Sequence, residues 1–198
     1  MFPLVSVMEA HLNDPPKAPN ARAPERNIPL ELEKACLRAL AKSPADRHQS
    51  ARELHDEIHT WLEAAADKTQ RHERATELAS QGKTLLDDCN SLRGQIADTE
   101  RQVEEVRQRF DTWQSVEEKS ELFAAMDEAA GLRHKLGERA SEVVMTLSAA
   151  LGQDQEHAEA RRLMADFYWE RFLKAESRHD LEGRDFYEKL LSSFHDGR

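Results

Sequence analysis

Two histidines in the stretch His55-Asp56-Glu57-Ile58-His59 have the spacing of metal ligands on a helix. Residues four apart project from the same face of a helix. A zincin helix has the pattern H-E-x-x-H, in which the glutamate after the first histidine is the base for the metal-bound water. Asp56, whose side chain is one methylene shorter, stands in that position here. We therefore favour two surface histidines over a zinc site and predict no metal ligands.

A second candidate is Arg47, which lies in a predicted turn between two short helices. Pro44 ends the first of these helices and Ser50 begins the second. A guanidinium in such a turn could bind a phosphate group or the carboxylate of a partner protein, because its planar donors fit both. The alternative, which we favour, is a purely structural arginine.

The residues needed to transfer a phosphoryl group are missing from the sequence. That chemistry needs a glycine-rich loop over the nucleotide, a lysine, a catalytic aspartate and a metal-binding aspartate. The closest pair among the seven glycines is Gly131 and Gly137, so no G-x-G motif exists. Arg178-His179-Asp180 has the residues of the catalytic H-R-D triplet in a different order. The metal-binding motif D-F-G is also missing, because Asp166-Phe167-Tyr168 and Asp185-Phe186-Tyr187 each have tyrosine in place of its glycine. We predict no catalytic and no cofactor-binding residues.

Composition favours an all-α protein. Charged residues make up 33% of the 198 positions, hydrophobic residues 39%, and only seven are glycine, a balance typical of long solvated helices. A net charge of -10 argues against binding to nucleic acid or to an anionic membrane surface, since both need a concentrated positive face. No stretch approaches the roughly 18 apolar residues of a membrane span. We predict that Cys36 and Cys89 are buried free thiols, which suits a soluble cytoplasmic protein.

The first predicted domain, residues 1–63, consists of short helices around a proline-rich loop. Val5, Met8 and Leu12 indicate a short helix, and the prolines from Pro15 to Pro29 predict an exposed, irregular connection. Two amphipathic helices follow on either side of the Arg47 turn. Their apolar residues are Leu32, Cys36, Leu37 and Leu40 in the first, and Leu54, Ile58, Trp61 and Leu62 in the second.

The second predicted domain, residues 64–152, is a long antiparallel helical hairpin of coiled-coil type. The apolar positions from Leu78 to Trp113 are separated by alternating steps of four and three residues. This spacing is typical of a helix that packs against a partner along one line of side chains, which we call the seam. Ser115 and Glu118 form a capping box that begins a returning helix, ended by Gly152. The same seam could instead form a homodimer. The returning helix should bury Leu122, Met126, Ala129, Leu132, Leu136, Ala140, Val143, Leu147 and Leu151.

The third predicted domain, residues 153–198, is a short helix-turn-helix. Asp154 is expected to cap a helix that runs to about Ser177, and Asp180 marks the turn before a last helix. Aromatic residues concentrate in the first of these helices. Tyr168, Trp169 and Phe172, with Phe167, either line a surface for binding a peptide or form the core between helices, and we favour the core.

The residues around Arg47 resemble a known family. The run Ile28-Pro29-x-x-Leu32, followed by Cys36-Leu37-x-x-Leu40-Ala41-Lys42-Ser43-Pro44-Ala45-Asp46-Arg47-His48-Gln49-Ser50-Ala51-x-x-Leu54, is similar to the end of the C-lobe of bacterial Hanks-type serine/threonine protein kinases. In that family the arginine matching Arg47 pairs with the glutamate that closes the activation segment. The resemblance thus implies a structural kinase-lobe motif of Pro44, Asp46, Arg47 and Ser50.

The similarity extends to a narrower group of these kinases. In that group a helical hairpin with a W-x-x-V-E-E-K turn and a tetratricopeptide-like unit follow the kinase domain, and a formylglycine-generating-type domain often comes later. The matching runs are Trp113-Gln114-Ser115-Val116-Glu117-Glu118-Lys119 and Tyr168-Trp169-Glu170-Arg171-Phe172. The resemblance implies a kinase fragment that acts as a scaffold after the catalytic domain and is inactive alone, with ATP and magnesium bound only by an intact parent kinase.

The alternative is a free-standing helical module for protein docking or dimerisation, and both hypotheses predict a protein partner. Helices taken from a kinase lobe also lose the elements that normally cover them, and about 60 residues bury too little area to be comfortably stable. We therefore expect uncovered apolar surface in residues 1–63. Leu37, Leu40, Leu54 and Trp61 should pack onto the hairpin, or be covered by another chain, or belong to a marginally folded segment.

Overall fold

The computed structural model describes residues 8–9, 12–110 and 119–194, and the all-α prediction is confirmed for them. Six α-helices lie within these ranges, with two short 3-10 helices at Pro24–Arg26 and Pro44–Asp46. The α-helices are α1 (Pro19–Arg22), α2 (Leu30–Ala39), α3 (Ala51–Arg107), α4 (Ser120–Gln153), α5 (Ala158–Ser177) and α6 (Leu181–Ser192).

The chain divides into two compact units, Met1–Gln70 and Arg71–Arg198. Helix α3 continues through residue 63, where the sequence placed a domain boundary, and through the boundary between the two units. The sequence separated a hairpin, residues 64–152, from a helix-turn-helix, residues 153–198. The second unit holds residues 71–152 of the first and all of the second.

The proline-rich segment of the first unit is more regular than we predicted. Pro19 begins α1 and Pro24 begins a 3-10 helix. Proline is compatible with a first helical turn, because the amide hydrogen that it lacks has no partner there. Asn20 also joins the segment to Ile28, since its side chain donates to the Ile28 carbonyl and accepts from the Ile28 N–H, both at 2.8 Å. The backbone N–H of Asn20 donates to Glu33 Oε2 at 2.6 Å.

The start of α3 agrees with the prediction for Ser50. Its Oγ accepts a hydrogen bond from the Glu53 N–H at 3.1 Å, and the Glu53 carboxylate accepts from the Gln49 N–H at 2.7 Å. The first bond satisfies a backbone donor that has no partner within the first turn of the helix, and the second holds the residue before Ser50. Ser50-x-x-Glu53 is thus a capping pattern readable in the sequence, which our sequence analysis applied only to Ser115 and Glu118.

In the second unit, α3 and α4 form the predicted antiparallel hairpin. Contacts between them join positions that rise along α3 as they fall along α4. Gly82 lies against Leu147, Glu100 pairs with Arg133, and Arg109, two residues past the end of α3, pairs with Glu121. The capping box of Ser115 and Glu118, the turn motif and Trp113 lie outside the described residues.

The burial pattern of the hairpin follows the predicted seam, with one exception. The seam positions of α3 from Leu78 to Phe110 are buried or half-buried. On α4, Met126 is 40% exposed, so its predicted place on the inner face was wrong. Ala125 is half-buried instead. The residues that face α3 are here spaced by three, from Leu122 to Ala125, and then by four, from Ala125 to Ala129.

Helix α5 packs against α3 and α4, and their buried side chains form one core. Helix α6 lies against α5. The core residues are Cys89, Val143, Leu147, Leu163, Met164 and Phe167, with a smaller cluster of Ala79, Ala150 and Ala160 beside it.

The predicted turn at Asp180 is present. His179 has a left-handed backbone with a φ of 57°, and its N–H bonds to the Glu176 carbonyl. The Asp180 N–H bonds to the Ala175 carbonyl at 3.0 Å, which completes a Schellman motif. The Asp180 side chain then accepts from the Gly183 N–H and caps α6.

Candidate functional sites

Arg47 is held by the backbone of its own turn. Its Nε donates to the Ala41 carbonyl at 2.7 Å and its Nη2 to the Lys42 carbonyl at 3.3 Å. These carbonyls follow the C-terminal end of α2, where backbone acceptors lack helical partners. Arg47 itself is exposed. Arg47 thus joins its own turn to the end of α2 through two backbone carbonyls.

Other members of the predicted lobe motif organise the same turn. Pro44 and Asp46 are the first and last residues of its 3-10 helix. The Pro44 carbonyl accepts from the Gln49 side chain at 3.1 Å, and Ser50 caps α3 as described above. The motif residues therefore all lie at the α2–α3 junction, where they hold backbone geometry.

A charged cluster at the same junction was missed in the sequence. Arg38 of α2 pairs with both Glu53 and Glu57 of α3, and Glu57 Oε2 lies 2.8 Å from His48 Nε2. Hydrogen bonds from Gln49 and Arg38 lower the pKa of Glu53, and hydrogen bonds from His48 and Arg38 lower that of Glu57. Glu53 and Glu57 are four residues apart and therefore lie on the same face of α3. This spacing could have indicated that they share a cationic partner.

An apolar groove runs between α2 and α3 in the first unit. It has a volume of about 680 Å³, and charged residues stand at its edges. Two further leucines of this unit, Leu40 and Leu62, are each 53% exposed. The uncovered apolar surface that we expected in this part of the chain is therefore present. The apolar lining consists of Leu32, Ala35, Ile58, Trp61, Ala64 and Ala65.

His55 and His59 lie together on the exposed surface of α3. Their rings stack with centroids 5.5 Å apart. His55 Nδ1 lies 3.1 Å from Asp56 Oδ1, and His59 Nδ1 lies 3.5 Å from Glu63 Oε1. Across residues 8–9, 12–110 and 119–194, no group of three or more histidine, cysteine, aspartate or glutamate residues is arranged to hold a metal ion.

The predicted aromatic surface is divided by α5 into two environments. Tyr168 packs against the core and lies 5.9 Å from Phe194 between ring centroids. Burial raises the pKa of its hydroxyl. Trp169 is 52% exposed and stacks on Phe172 at 5.4 Å with nearly parallel rings. Tyr168 thus belongs to the interior between helices, whereas Trp169 lies at the surface, where it stacks on the half-buried Phe172. The core placement that we favoured was therefore wrong for Trp169.

A polar cluster joins α3 to the α4–α5 junction inside the second unit. His157 Nδ1 accepts from the Ala160 N–H, so the neutral ring carries its hydrogen on Nε2 and donates to Thr76 Oγ1 at 3.0 Å. Thr76 in turn donates to the His72 carbonyl at 2.9 Å. The side chain of His72 lies 2.6 Å from Asp154 Oδ2, and this hydrogen bond is the main cause of a lowered pKa for Asp154.

This cluster corrects the predicted start of α5. His157, which is 6% exposed, is the N-cap, because its ring nitrogen accepts the Ala160 N–H. Asp154 instead accepts from the Glu156 N–H at 3.1 Å in the turn before the helix. Our prediction that Asp154 caps α5 was therefore wrong. Histidine is an uncommon cap, and the fold selects it here by placing Thr76 opposite the second ring nitrogen.

The two cysteines differ in environment. Cys89 is fully buried in the core, and burial raises the pKa of its thiol. Cys36 is free and exposed on α2, so our prediction that it is buried was wrong. The apolar spacing that suggested burial is present, but α2 has too little protein around it to cover that position.

Among the described residues, no helix combines the length and the hydrophobicity needed to cross a membrane. No protein-family model, curated protein sequence or solved structure matches this chain.

Proposed function

We propose that this chain is a fragment of a bacterial serine/threonine protein kinase, made up of the end of the C-lobe and the helical scaffold that follows the catalytic domain, and that it transfers no phosphate itself. The observation that carries the proposal is the open apolar groove between α2 and α3 beside the Arg47 turn. An apolar groove of this size in a small unit is typical of a surface that another protein segment covers. In the kinase that we propose, the remainder of the C-lobe provides that segment.

Nucleotide binding is the first test of this proposal. We expect magnesium and ATP to leave the melting temperature of the purified chain unchanged, because the groups that would hold a triphosphate and its cation are missing from the sequence. A magnesium-dependent rise in melting temperature at micromolar ATP would contradict the proposal. Incorporation of phosphate into a protein substrate by the purified chain would contradict it as well.

The genomic DNA upstream of the Met1 codon is the second test. An in-frame segment that encodes a nucleotide-binding loop and a catalytic aspartate is the expected result. A ribosome-binding site directly before Met1, with no such frame upstream, would favour the alternative hypothesis instead.

The alternative is a free-standing interaction module, and the exposed Trp169, which stacks on the half-buried Phe172, favours it. Stacked, accessible aromatic side chains are typical anchors of protein interfaces. The heptad seam does not serve this alternative, because α4 already covers it within the chain. If a second copy docks on this pair, the molar mass measured by light scattering should double in the wild type and fall to that of a monomer in Trp169→Ala.

A further inference from the structure

A pocket in the second unit collects four cationic side chains, although the whole chain has a net charge of -10. It lies where α3, α4, α5 and the α5–α6 turn meet. Its volume is about 300 Å³, at the lower end of the range for small-molecule sites. The cationic side chains are Arg93, Arg171, Lys174 and Arg178.

Arg171 forms the inner wall of this pocket. Its guanidinium carbon lies 3.5 Å from the centre of the Phe167 ring, and its Nη1 donates to the Phe167 carbonyl at 3.4 Å. Burial lowers the pKa of this guanidinium, and the positive charge of Arg93 acts in the same direction. Since burying a cation costs free energy, an anion bound beside Arg171 would offset part of that cost.

Two of the cations stand at the mouth of the pocket. Lys174 and Arg178 are exposed, and neither has an ion-pair partner among the residues that the structure describes. The two carboxylates of the pocket are already engaged. Glu170 lies 2.8 Å from Arg93, and Asp180 accepts from the Gly183 N–H.

The charges favour a dianion over a single carboxylate. Four cations and two carboxylates leave a formal surplus of two positive charges in the pocket. A phosphate monoester carries a charge of about -1.5 to -2 at pH 7. The guanidinium of an arginine can donate two parallel hydrogen bonds to two of its oxygens. Leu136, Ala175 and the ring of Tyr187 supply an apolar wall for the carbon atoms next to the phosphate.

We propose that this pocket binds a phosphate monoester presented by a phosphorylated side chain of a protein. The proposal goes beyond the scaffold role and does not depend on it, because the pocket is formed by the second unit alone. The pocket has room for one phosphorylated side chain, while its mouth at Lys174 and Arg178 stays open to the peptide on either side.

Calorimetric titration of the full chain tests this site. The probes are a neutral peptide with one phosphoserine, the same peptide without phosphate, and inorganic phosphate. We expect saturable binding of the phosphopeptide, no binding of its unphosphorylated form, and weaker binding of inorganic phosphate. Affinity should also fall as the pH drops below about 6, where a phosphate monoester loses its second charge.

Charge reversal at the mouth should weaken binding without disturbing the core. The double variant Lys174→Glu/Arg178→Glu should bind the phosphopeptide at least about tenfold more weakly, because it reverses two charges that face the ligand. The matched control is the double variant Lys83→Glu/Lys189→Glu, which reverses two exposed charges outside the pocket and should change the affinity less than about twofold, since distant surface charges are screened.

Three results would overturn the proposal. The first is no saturable binding of the phosphopeptide by the wild-type chain. The second is an equal loss of affinity in the pocket double variant and in Lys83→Glu/Lys189→Glu, which would indicate attraction by overall charge. The third is binding of inorganic phosphate as tight as that of the phosphopeptide, which would assign the pocket to the free ion.

Discussion

Gly82 of α3 lies so close to Leu147 of α4 that a Cβ at position 82 would be 2.5 Å from Leu147 Cδ2. Leu147 is fully buried, so its side chain has little space into which it can move. The close approach of the two helices at this point therefore depends on glycine.

Replacing Gly82 by alanine should destabilise the protein. Overpacking a core typically costs about 1–3 kcal/mol, and alanine recovers roughly 1 kcal/mol of this through its higher helix propensity. Because Leu147 has little space to move, we expect a net loss of up to about 2 kcal/mol in the free energy of unfolding, measured by urea denaturation. Gly131→Ala is the control, because nothing lies near its added methyl group and it should stabilise α4 by up to about 1 kcal/mol. A stabilised Gly82→Ala variant would refute the close packing.

The His72–Asp154 contact should make stability depend on pH. The pKa of Asp154 is lowered, chiefly by the hydrogen bond with His72. A lowered carboxyl pKa stabilises the fold above the ordinary aspartate pKa, and this contribution disappears as the pH falls through the lowered value. Asp154→Asn should therefore be less stable than the wild type near neutral pH, and the difference should shrink to nothing in acid.

Urea unfolding at a series of pH values measures that difference. Asp87→Asn, which removes the same charge at an exposed position of α3, is the matched control. A gap between wild type and Asp154→Asn that stays constant down to the most acidic pH would show that the carboxylate charge contributes nothing.

His157 should behave as a replaceable helix cap. His157→Ala removes both the acceptor for the Ala160 N–H and the bond with Thr76, and should cost about 1–2 kcal/mol. His157→Asn should recover much of this loss, because asparagine is among the best N-cap residues. Chemical denaturation compares the three proteins. Equal destabilisation by alanine and asparagine would indicate that the cap is unimportant and that packing of the imidazole ring dominates.

The two thiols should react with a disulfide reagent at very different rates. Cys36 is exposed, whereas Cys89 is buried and its raised pKa leaves less reactive thiolate at a given pH. We expect one rapidly reacting thiol in the native protein and a second after unfolding in urea. Cys36→Ser should abolish the rapid phase. Two thiols reacting at similar rates in the native state would contradict the burial of Cys89.

The seam of α3 and the turn at Asp180 were predictable from the sequence, because both depend on local rules. Helical periodicity determines which side chains share a face, and a residue such as Asp180 that favours turns marks the end of one helix and the cap of the next. The capping role of Ser50 was readable for the same reason.

Other features depended on the tertiary structure. The sequence could not show that Met126 would be exposed or that Cys36 would be left uncovered, because burial depends on which element faces a position. It also assigned the α5 cap to Asp154, whereas the neighbouring α3 residue Thr76 stabilises His157 in that role. The cationic pocket brings Arg93 together with Arg171 and Lys174, about 80 positions later in the chain. The spacing of residues along one helix cannot predict such a contact. Local propensity thus determined the helices of this protein, while packing between distant segments determined which of their side chains are free to bind a ligand.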